Sequence, residues 1–591
     1  MATSADTRAQ RIDRWFAYPR AWNPRPRADG GALFVLSSQD GVPKAWTVDP
    51  AGGPLRPFWS TDERVGTVTP SPHDARVIVA SDRGGNEHWE LSLLGAEGER
   101  TRVLTHCPDR IHEPGAWRDA RHFLFTSNER DVRFFDTYEC DVESDTPPRL
   151  VRQEDALVSV RSARDEVVLL ERSNTNLDTD LLVLDHGQER HLNPHAGEST
   201  VFGADLVGPD VYAATNPDRE FAALIRYPVL GGSAEVLREF PGDVERVRAA
   251  PDQLRVAATT NDRGWSQLWV YDLPSGEFAN LPLPAPGVIE AVSWSPDGAE
   301  LYYDLSSAET GLQVYATDPR SGRSRAVTSS PVPMPGPAHS PELGTFGAED
   351  GRSIDYWDYA PSGPAHGTIV YVHGGPESQA RPGFAPLLHF LVGEGFRLLV
   401  PNVRGSVGYG RTFVHLDDVR RRMDSVRDLR DLVRATGLTG SVGIAGASYG
   451  GFMVLSALTT YPELWAAGVD IVGIANFVTF LERTGPWRRK VREDEYGSLA
   501  HDRKFLESIS PLHHADRIRT PLLVVHGVND PRVPFYEAEQ IVAALQRRKV
   551  PVEFLRFDNE GHGLVRRENQ VAAYSRAAEF LRKHLRPSTD P

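Results

Sequence analysis

Two kinds of hydrophobic pattern divide the chain. From about residue 18 to residue 330, short apolar runs alternate with clusters of Asp, Gly, Asn and Pro, and no long amphipathic helical pattern interrupts them. That texture predicts strands joined by tight turns throughout. One run recurs as LFVL at 33–36, VIVA at 77–80, FLFT at 123–126, VVLL at 167–170, VYAA at 211–214, VAAT at 256–259 and LYYD at 301–304. The step is about 45 residues each time, the period of four-stranded propeller blades. A second strand follows in several units, as AWTVD at 45–49, LLVLD at 181–185 and LWVYD at 268–272, and turns such as SPDG at 295–298 sit where hairpins need them. Seven units fill the region without remainder. A pair of β-sandwiches would not produce so even a spacing, so the expected fold is a seven-bladed β-propeller.

Ahead of this region, residues 8–16 read as a short helix with an apolar stripe of Ile12, Trp15 and Phe16. Behind it, residues 331–341 are rich in Pro, Ser and Gly and read as a linker. Residues 342–591 then alternate buried-type strands (368–372, 397–400, 442–445, 467–472, 522–525) with helical patterns at 424–435, 536–547 and 569–585. Such alternation predicts a mostly parallel sheet covered on both faces. The expected organisation is therefore an N-terminal helix over 1–17, a β-propeller over 18–330, a linker over 331–341 and an α/β-hydrolase domain over 342–591.

Composition narrows the function. At 591 residues the chain exceeds one ordinary core, and 40% hydrophobic with 25% charged residues is the balance of a globular protein. Its 65 basic against 81 acidic residues leave a formal charge of −16, which argues against nucleic acid or an anionic membrane surface as a partner. The two cysteines, Cys107 and Cys140, make no metal or redox motif and fit a reducing compartment, although one disulfide between them is compatible with their number. No apolar h-region opens the chain, and no apolar run approaches the roughly 18 residues that span a bilayer. The expected location is cytoplasmic, no metal or organic cofactor is implied, and a homo-oligomer is left open.

The candidate chemistry lies in the second half. Gly446-Ala447-Ser448-Tyr449-Gly450 has the form G-x-S-x-G between a strand pattern and a buried helix pattern, the context of a nucleophilic serine on a strained turn. In α/β-hydrolase order an acid and then a histidine follow the serine, each after a strand. Asp530 follows the strand at 522–525, and His562 lies between two glycines after the strand at 552–556. Each alone reads equally well as a turn or surface residue; the order and placement together make a Ser448–His562–Asp530 triad. His526, at the end of a buried strand, and His513 and His514, in a helical stretch, read as structural. Strand 368–372 runs into His373-Gly374-Gly375-Pro376, a loop type that offers backbone N–H groups to an oxyanion, and the Tyr449 N–H is the second expected donor.

These motifs, taken in order as HGGP, NVRGSVGYG (402–410), GASYGG, HGVNDPRVP (526–534) and EGHG (560–563) behind a seven-unit propeller, resemble the prolyl oligopeptidase family of serine peptidases, most of all its acylaminoacyl-peptidase branch. The resemblance covers nearly the whole chain, including the N-terminal helix. It implies Ser448, Asp530 and His562 as catalytic residues, Gly375 and Tyr449 as oxyanion donors, and Arg532 as a ligand of a substrate carbonyl. His373 stands where the prolyl endopeptidase and dipeptidyl peptidase branches carry an oxyanion tyrosine, and no paired-glutamate motif for a free N-terminus is evident in the propeller. Short peptides or acylated amino acids are the implied substrates. Alternatives are carboxypeptidase-type specificity, an amidase or esterase acting on a non-peptide metabolite, and a catalytically dead propeller interaction protein. The basic stretch Arg483 to Lys490 reads as a solvated surface loop or, through Arg488 and Arg489, as a clamp for a substrate carboxylate. Phe477 and Phe480 read as the walls of an S1 pocket or as ordinary core.

Overall fold

A computed structural model describes residues 7–337, 339–438 and 441–585. Residues 1–6 of the expected N-terminal segment, residue 338 of the expected linker and residues 586–591 of the expected hydrolase domain lie outside the described residues. The chain forms two compact units: one holds Pro19–Arg83 and Glu87–Pro331, the other the residues up to Tyr18, Gly84–Asn86 and everything from Val332 onward.

The first unit is a seven-bladed propeller. Its strands form seven four-stranded antiparallel sheets, each built from four consecutive strands paired in chain order. Because each sheet lies between two others, its inner strands are buried on both faces, and the run Leu33–Ser37 is buried at every position. This is why the repeat is written in unbroken apolar runs. The apolar side chains collect between neighbouring blades; Phe34, Phe58, Val65 and Val79, for example, fill the space between the first and second. Among the described residues no strand is exchanged between the first and last blades. Their seam is closed by Leu33, Val35, Trp46, Tyr302 and Val314, and by hydrogen bonds from Ser293 Oγ to Pro24 O (2.9 Å) and from Asn23 N to Asp304 Oδ2 (2.9 Å). Cys107 and Cys140 are both free thiols, and burial pushes Cys140 up to about 12.

The second unit is an α/β-hydrolase fold. Its eight strands are β1 (Glu342–Gly347), β2 (Ser353–Tyr359), β3 (Gly367–Val372), β4 (Phe396–Pro401), β5 (Val442–Ala447), β6 (Ala467–Ile471), β7 (Leu522–Gly527) and β8 (Val552–Phe557). They lie in the order β1-β2-β4-β3-β5-β6-β7-β8. β1 and β2 form an antiparallel hairpin that joins the sheet at β4, and from β4 to β8 all pairings are parallel. The ends of β3, β5, β7 and β8 thus open on one edge of the sheet, where the loops bearing function gather. The helix Arg8–Ala17 belongs to this unit. Thr7 and Gln10 cap it reciprocally, Trp15 stacks on His389 (5.5 Å between ring centres) and Phe16 on Tyr574 (5.5 Å), while Arg8 and Arg11 both reach Glu394.

With no exchanged strand, the propeller seam rests on packing. Leu33→Ala, at a fully buried seam position, should destabilise the propeller by about 2–5 kcal/mol. The measurement is its unfolding transition by differential scanning calorimetry; a loss below about 1 kcal/mol would show that the seam tolerates a cavity and is not where the ring is held.

Candidate active site

The site starts from a constraint on the backbone. β5 ends at Ala447, the helix Tyr449–Thr460 starts two residues later, and Ser448 between them adopts φ 59°, ψ −120°, a region that non-glycine residues rarely occupy. Ser448 N donates to Ile471 O of β6 (2.9 Å), so the turn is tied to the next strand. The glycines flanking it are required by space: a Cβ on Gly446 would lie 2.5 Å from Gly450 O, and one on Gly450 would lie 2.2 Å from Val372 O. The serine hydroxyl is thereby presented at the carboxyl end of the sheet.

His562 reaches it from the loop after β8. Its Nε2 lies 2.9 Å from Ser448 Oγ, and its Nδ1 lies 2.8 Å from Asp530 Oδ2 in the loop after β7. Asp530 is fully anchored, with Oδ1 accepting from Arg532 N (2.8 Å) and Val533 N (2.9 Å). Burial pushes its carboxyl up, but attraction to His562 and hydrogen bonds from His526 and His562 outweigh burial and hold it well below the usual carboxylate range. An ionised Asp530 fixes the Nδ1–H tautomer of His562, which leaves Nε2 free to accept the serine proton. His526, fully buried, donates from Nε2 to Val533 O (3.0 Å) and stands 3.5 Å from Asp530 Oδ2, so it braces the acid and does not approach the serine. Glu560 is spent on its own loop, accepting from Val565 N (3.0 Å), Arg566 N (2.9 Å) and Asn569 Nδ2 (2.8 Å).

The loop after β3 lies against the nucleophile: a Cβ on Gly374 would sit 3.3 Å from Ser448 Cβ and 3.9 Å from Oγ. Gly375 has φ 130°, and a side chain there would crowd Glu377 N at 2.8 Å. Both ring nitrogens of His373 are engaged at the loop, with Ser406 Oγ (2.9 Å) and Gly374 O (2.6 Å), and so hold its shape. Tyr449 is the first residue of its helix, so its N–H has no partner within the helix and carries the positive end of the dipole. Its ring is fully buried, with the hydroxyl donating to Asp417 Oδ2 (3.0 Å) and within reach of Ser425 Oγ (2.8 Å). Arg422, also fully buried, pairs with Asp417 and Glu495 beneath it. Burial pushes the phenol well above its ordinary value. Tyr496 OH donates to Gly375 O at 3.5 Å, so the Gly375 and Tyr449 segments rest on one buried polar cluster.

The expected substrate residues are placed less uniformly. Arg532 is half-buried two residues after the acid, with its carbonyl held by Thr484 Oγ1 (2.8 Å). Phe477 and Phe480 are both buried; Phe477 packs edge-on to Phe452 (4.8 Å) and against Tyr496 (4.8 Å), inside the hydrophobic core. The reading of Arg483 to Lys490 as a surface loop is corrected. Pro486 starts a helix that runs to Tyr496, and Pro at a first helical position is a start signal. Arg489 within it turns back to donate from Nε and Nη2 to Leu481 O and Glu482 O (2.6 Å each), capping the preceding helix Phe477–Arg483. His513 and His514 lie in a short 3-10 helix away from the serine's partners. His526 has the structural place its position at the end of a buried strand predicts, here as a brace of Asp530; Arg422 and Tyr496, as supports, carried no signal in the sequence.

Among the described residues two side-chain groups bring enough donor atoms together to suit a metal, and both are already engaged by other side chains. Arg422 already occupies Asp417 and Glu495 of the group Asp417, Asp418 and Glu495. In the group Asp180, His191 and His195, both ring nitrogens of His195 face acceptors, Asn193 O and Asp178 Oδ1, and Arg172 pairs with Asp180. Among the described residues no helix is long and apolar enough to cross a membrane.

Comparison with known proteins agrees with this geometry. The model of the prolyl oligopeptidase family matches residues 382–588. Dipeptidyl aminopeptidase BIII of Pseudoxanthomonas mexicana is 27% identical over 98% of this chain and 89% of its own length. The acylamino-acid-releasing enzyme of Arabidopsis thaliana is 27% identical over 37% of this chain and 30% of its own. Among solved structures, a puromycin hydrolase superposes with a TM-score of 0.84 at 19% identity, covering 98% of this chain and 96% of that one. Family model and hydrolase architecture agree: through residues 382–588 the hydrolase domain belongs to the prolyl oligopeptidase family, and the chain is a serine hydrolase of the peptidase type.

Proposed function

We propose that the protein hydrolyses short peptides or acylated amino acids through an acyl-enzyme on Ser448, in the manner of an acylaminoacyl peptidase. The observation that carries the reading is the continuous hydrogen-bonded path from Ser448 Oγ through His562 to Asp530, at 2.9 and 2.8 Å. His562 Nε2 takes the Ser448 proton as Oγ attacks the scissile carbonyl. The negative charge that develops on the carbonyl oxygen is held by the Gly375 and Tyr449 N–H groups, the latter aided by the helix dipole. The imidazolium formed is stabilised by Asp530 and then protonates the leaving amine. Water, deprotonated by the same His562, releases the acyl group and restores the serine. Arg532 donates to a substrate carbonyl on the acyl side of the scissile bond, and Phe477 and Phe480 back the S1 region from the core.

The acyl-amino-acid reading is supported by the relatives named acylamino-acid-releasing enzymes and by His373 serving the loop and not the oxyanion. A second reading, release of dipeptides from a free N-terminus, is favoured by the relative named a dipeptidyl aminopeptidase, which aligns along 98% of the chain. Turnover of N-acetylated, free-amino and C-terminally amidated forms of the same short peptides separates them. The first reading expects the acetylated form to be preferred, whereas a preference for the free amine would establish the second.

Two substitutions test the roles. Asp530→Asn should lower kcat by about 10⁴ by favouring the wrong tautomer of His562; near-normal turnover would mean that the imidazole is oriented by another group. Arg532→Ala should lower kcat/KM on acetylated amino-acid amides by roughly ten- to a hundredfold, the usual worth of charged hydrogen bonds. It should leave p-nitrophenyl acetate, which has no carbonyl at that position, almost unchanged. An equal loss on the ester would assign Arg532 to support of Asp530 instead.

A further inference from the structure

The propeller encloses a second candidate site, independent of the hydrolase chemistry. The first strands of all seven blades surround a central cavity of about 800 Å³. Its charged lining consists of Arg25, Arg161, Asp205, Arg246, Arg248 and Glu290: four arginines and two acids in a chain whose formal charge is −16. Two of the arginines are neutralised in place, Arg161 by Glu171 (2.6 Å) and Arg246 by Glu290 (2.8 Å). Arg25 and Arg248 are different. Among the described residues neither guanidinium has a hydrogen-bond or ion-pair partner, although they are close enough to repel one another.

The acids nearest to them are already engaged. Asp304 accepts from Asn23 N, Glu290 N and Ala291 N (2.9 Å each), and burial raises its affinity for a proton. Asp205 accepts from Leu206 N (2.9 Å) and Ala249 N (3.1 Å). Burial, followed by the charge of Arg248, lowers Arg25 to about 10 against the weaker pull of these two acids. Two like charges held half-buried without a directly paired carboxylate are unfavourable by themselves, and an oxyanion between them offsets both costs. Planar guanidinium forks match carboxylate and phosphate oxygens in pairs.

We propose that the propeller cavity is a binding site for a small oxyanion, a carboxylate or phosphate group held by Arg25 and Arg248. The cavity volume admits a short peptide as well as an inorganic ion, so the carboxylate of a peptide and free phosphate are the two sources to be told apart.

The test uses the full-length Ser448→Ala protein, which cannot turn peptides over, and the same protein carrying Arg25→Gln and Arg248→Gln. Isothermal titration with inorganic phosphate, and with acetyl-triglycine against its C-terminal amide, reads the site. The parent should bind phosphate, or the acid over the amide, at least about tenfold more tightly than the doubly substituted protein. Dependence of the acid alone on the arginines identifies a peptide carboxylate, and dependence of phosphate alone identifies a phosphate ligand. Without ligand, the substituted protein should melt no lower than the parent, because a repulsive pair has been removed; a structural role would lower it. Should the double substitution fail to fold, Arg25→Lys, which keeps the charge but not the fork, should give the same loss of affinity. Equal affinity in parent and variant, or no binding of either probe to the parent, would overturn the proposal.

Discussion

The hydrolase half depends on how closely three pieces of backbone approach at Ser448. The carbonyl of Val372, the end of β5 and the first turn of the following helix meet at distances that no Cβ tolerates, which is why glycine stands at 446 and 450. The strained Ser448 conformation persists because the parallel ladder, the Ser448 N to Ile471 O bond and a helix buried along almost its whole length hold it from three sides. The same approach sets the loop after β3 beside the serine and places Tyr449 at the start of the helix that follows it. The position of the serine and of these two flanking segments thus follows from one packing event.

That packing rests on a polar foundation. Tyr449, Arg422, Asp417, Ser425, Glu495 and Tyr496 form a buried set in which every charge has an opposite neighbour, and through Tyr496 the set reaches the carbonyl of Gly375. Removing Arg422, the one cation of the set, would leave two buried acids without their partner, commonly a loss of about 3–5 kcal/mol. The set ties the Tyr449 side chain and the Gly375 carbonyl to one cluster by hydrogen bonds, which apolar packing alone would not supply. On the other side of the serine, Asp530 plays the equivalent part for His562, with two backbone N–H groups and His526 defining its carboxylate plane.

Much of this was legible in the chain because it is encoded by short-range chemistry. The blades were readable since strands buried on both faces are apolar at every position, and the hairpin turns between them recur at one period. Ser448, Asp530 and His562 were readable because each follows a strand in a fixed order. The hairpin β1–β2 was not foreseen: as the edge of the sheet it is half exposed, and its residues alternate too irregularly to declare strands. In the sequence the start of the helix Pro486–Tyr496 has the look of a loop because its charged residues hide the one apolar stripe, although Gly485-Pro486 is itself a start signal. Arg422 and Tyr496 left no trace, because pairing a fully buried arginine with an acid 73 residues away, or a phenol with a carbonyl 121 residues away, is a property of the folded chain alone.

The central claim is that Ser448 is the nucleophile of the chain. The most direct measurement is peptide mapping by mass spectrometry after reaction of the intact protein with a fluorophosphonate. The account predicts one adduct, on the peptide that contains Ser448, formed quickly by the native protein and abolished by prior unfolding, since only the folded arrangement of His562 and Asp530 activates the hydroxyl. An adduct on another serine, or labelling of Ser448 no faster in the folded than in the unfolded chain, would contradict it.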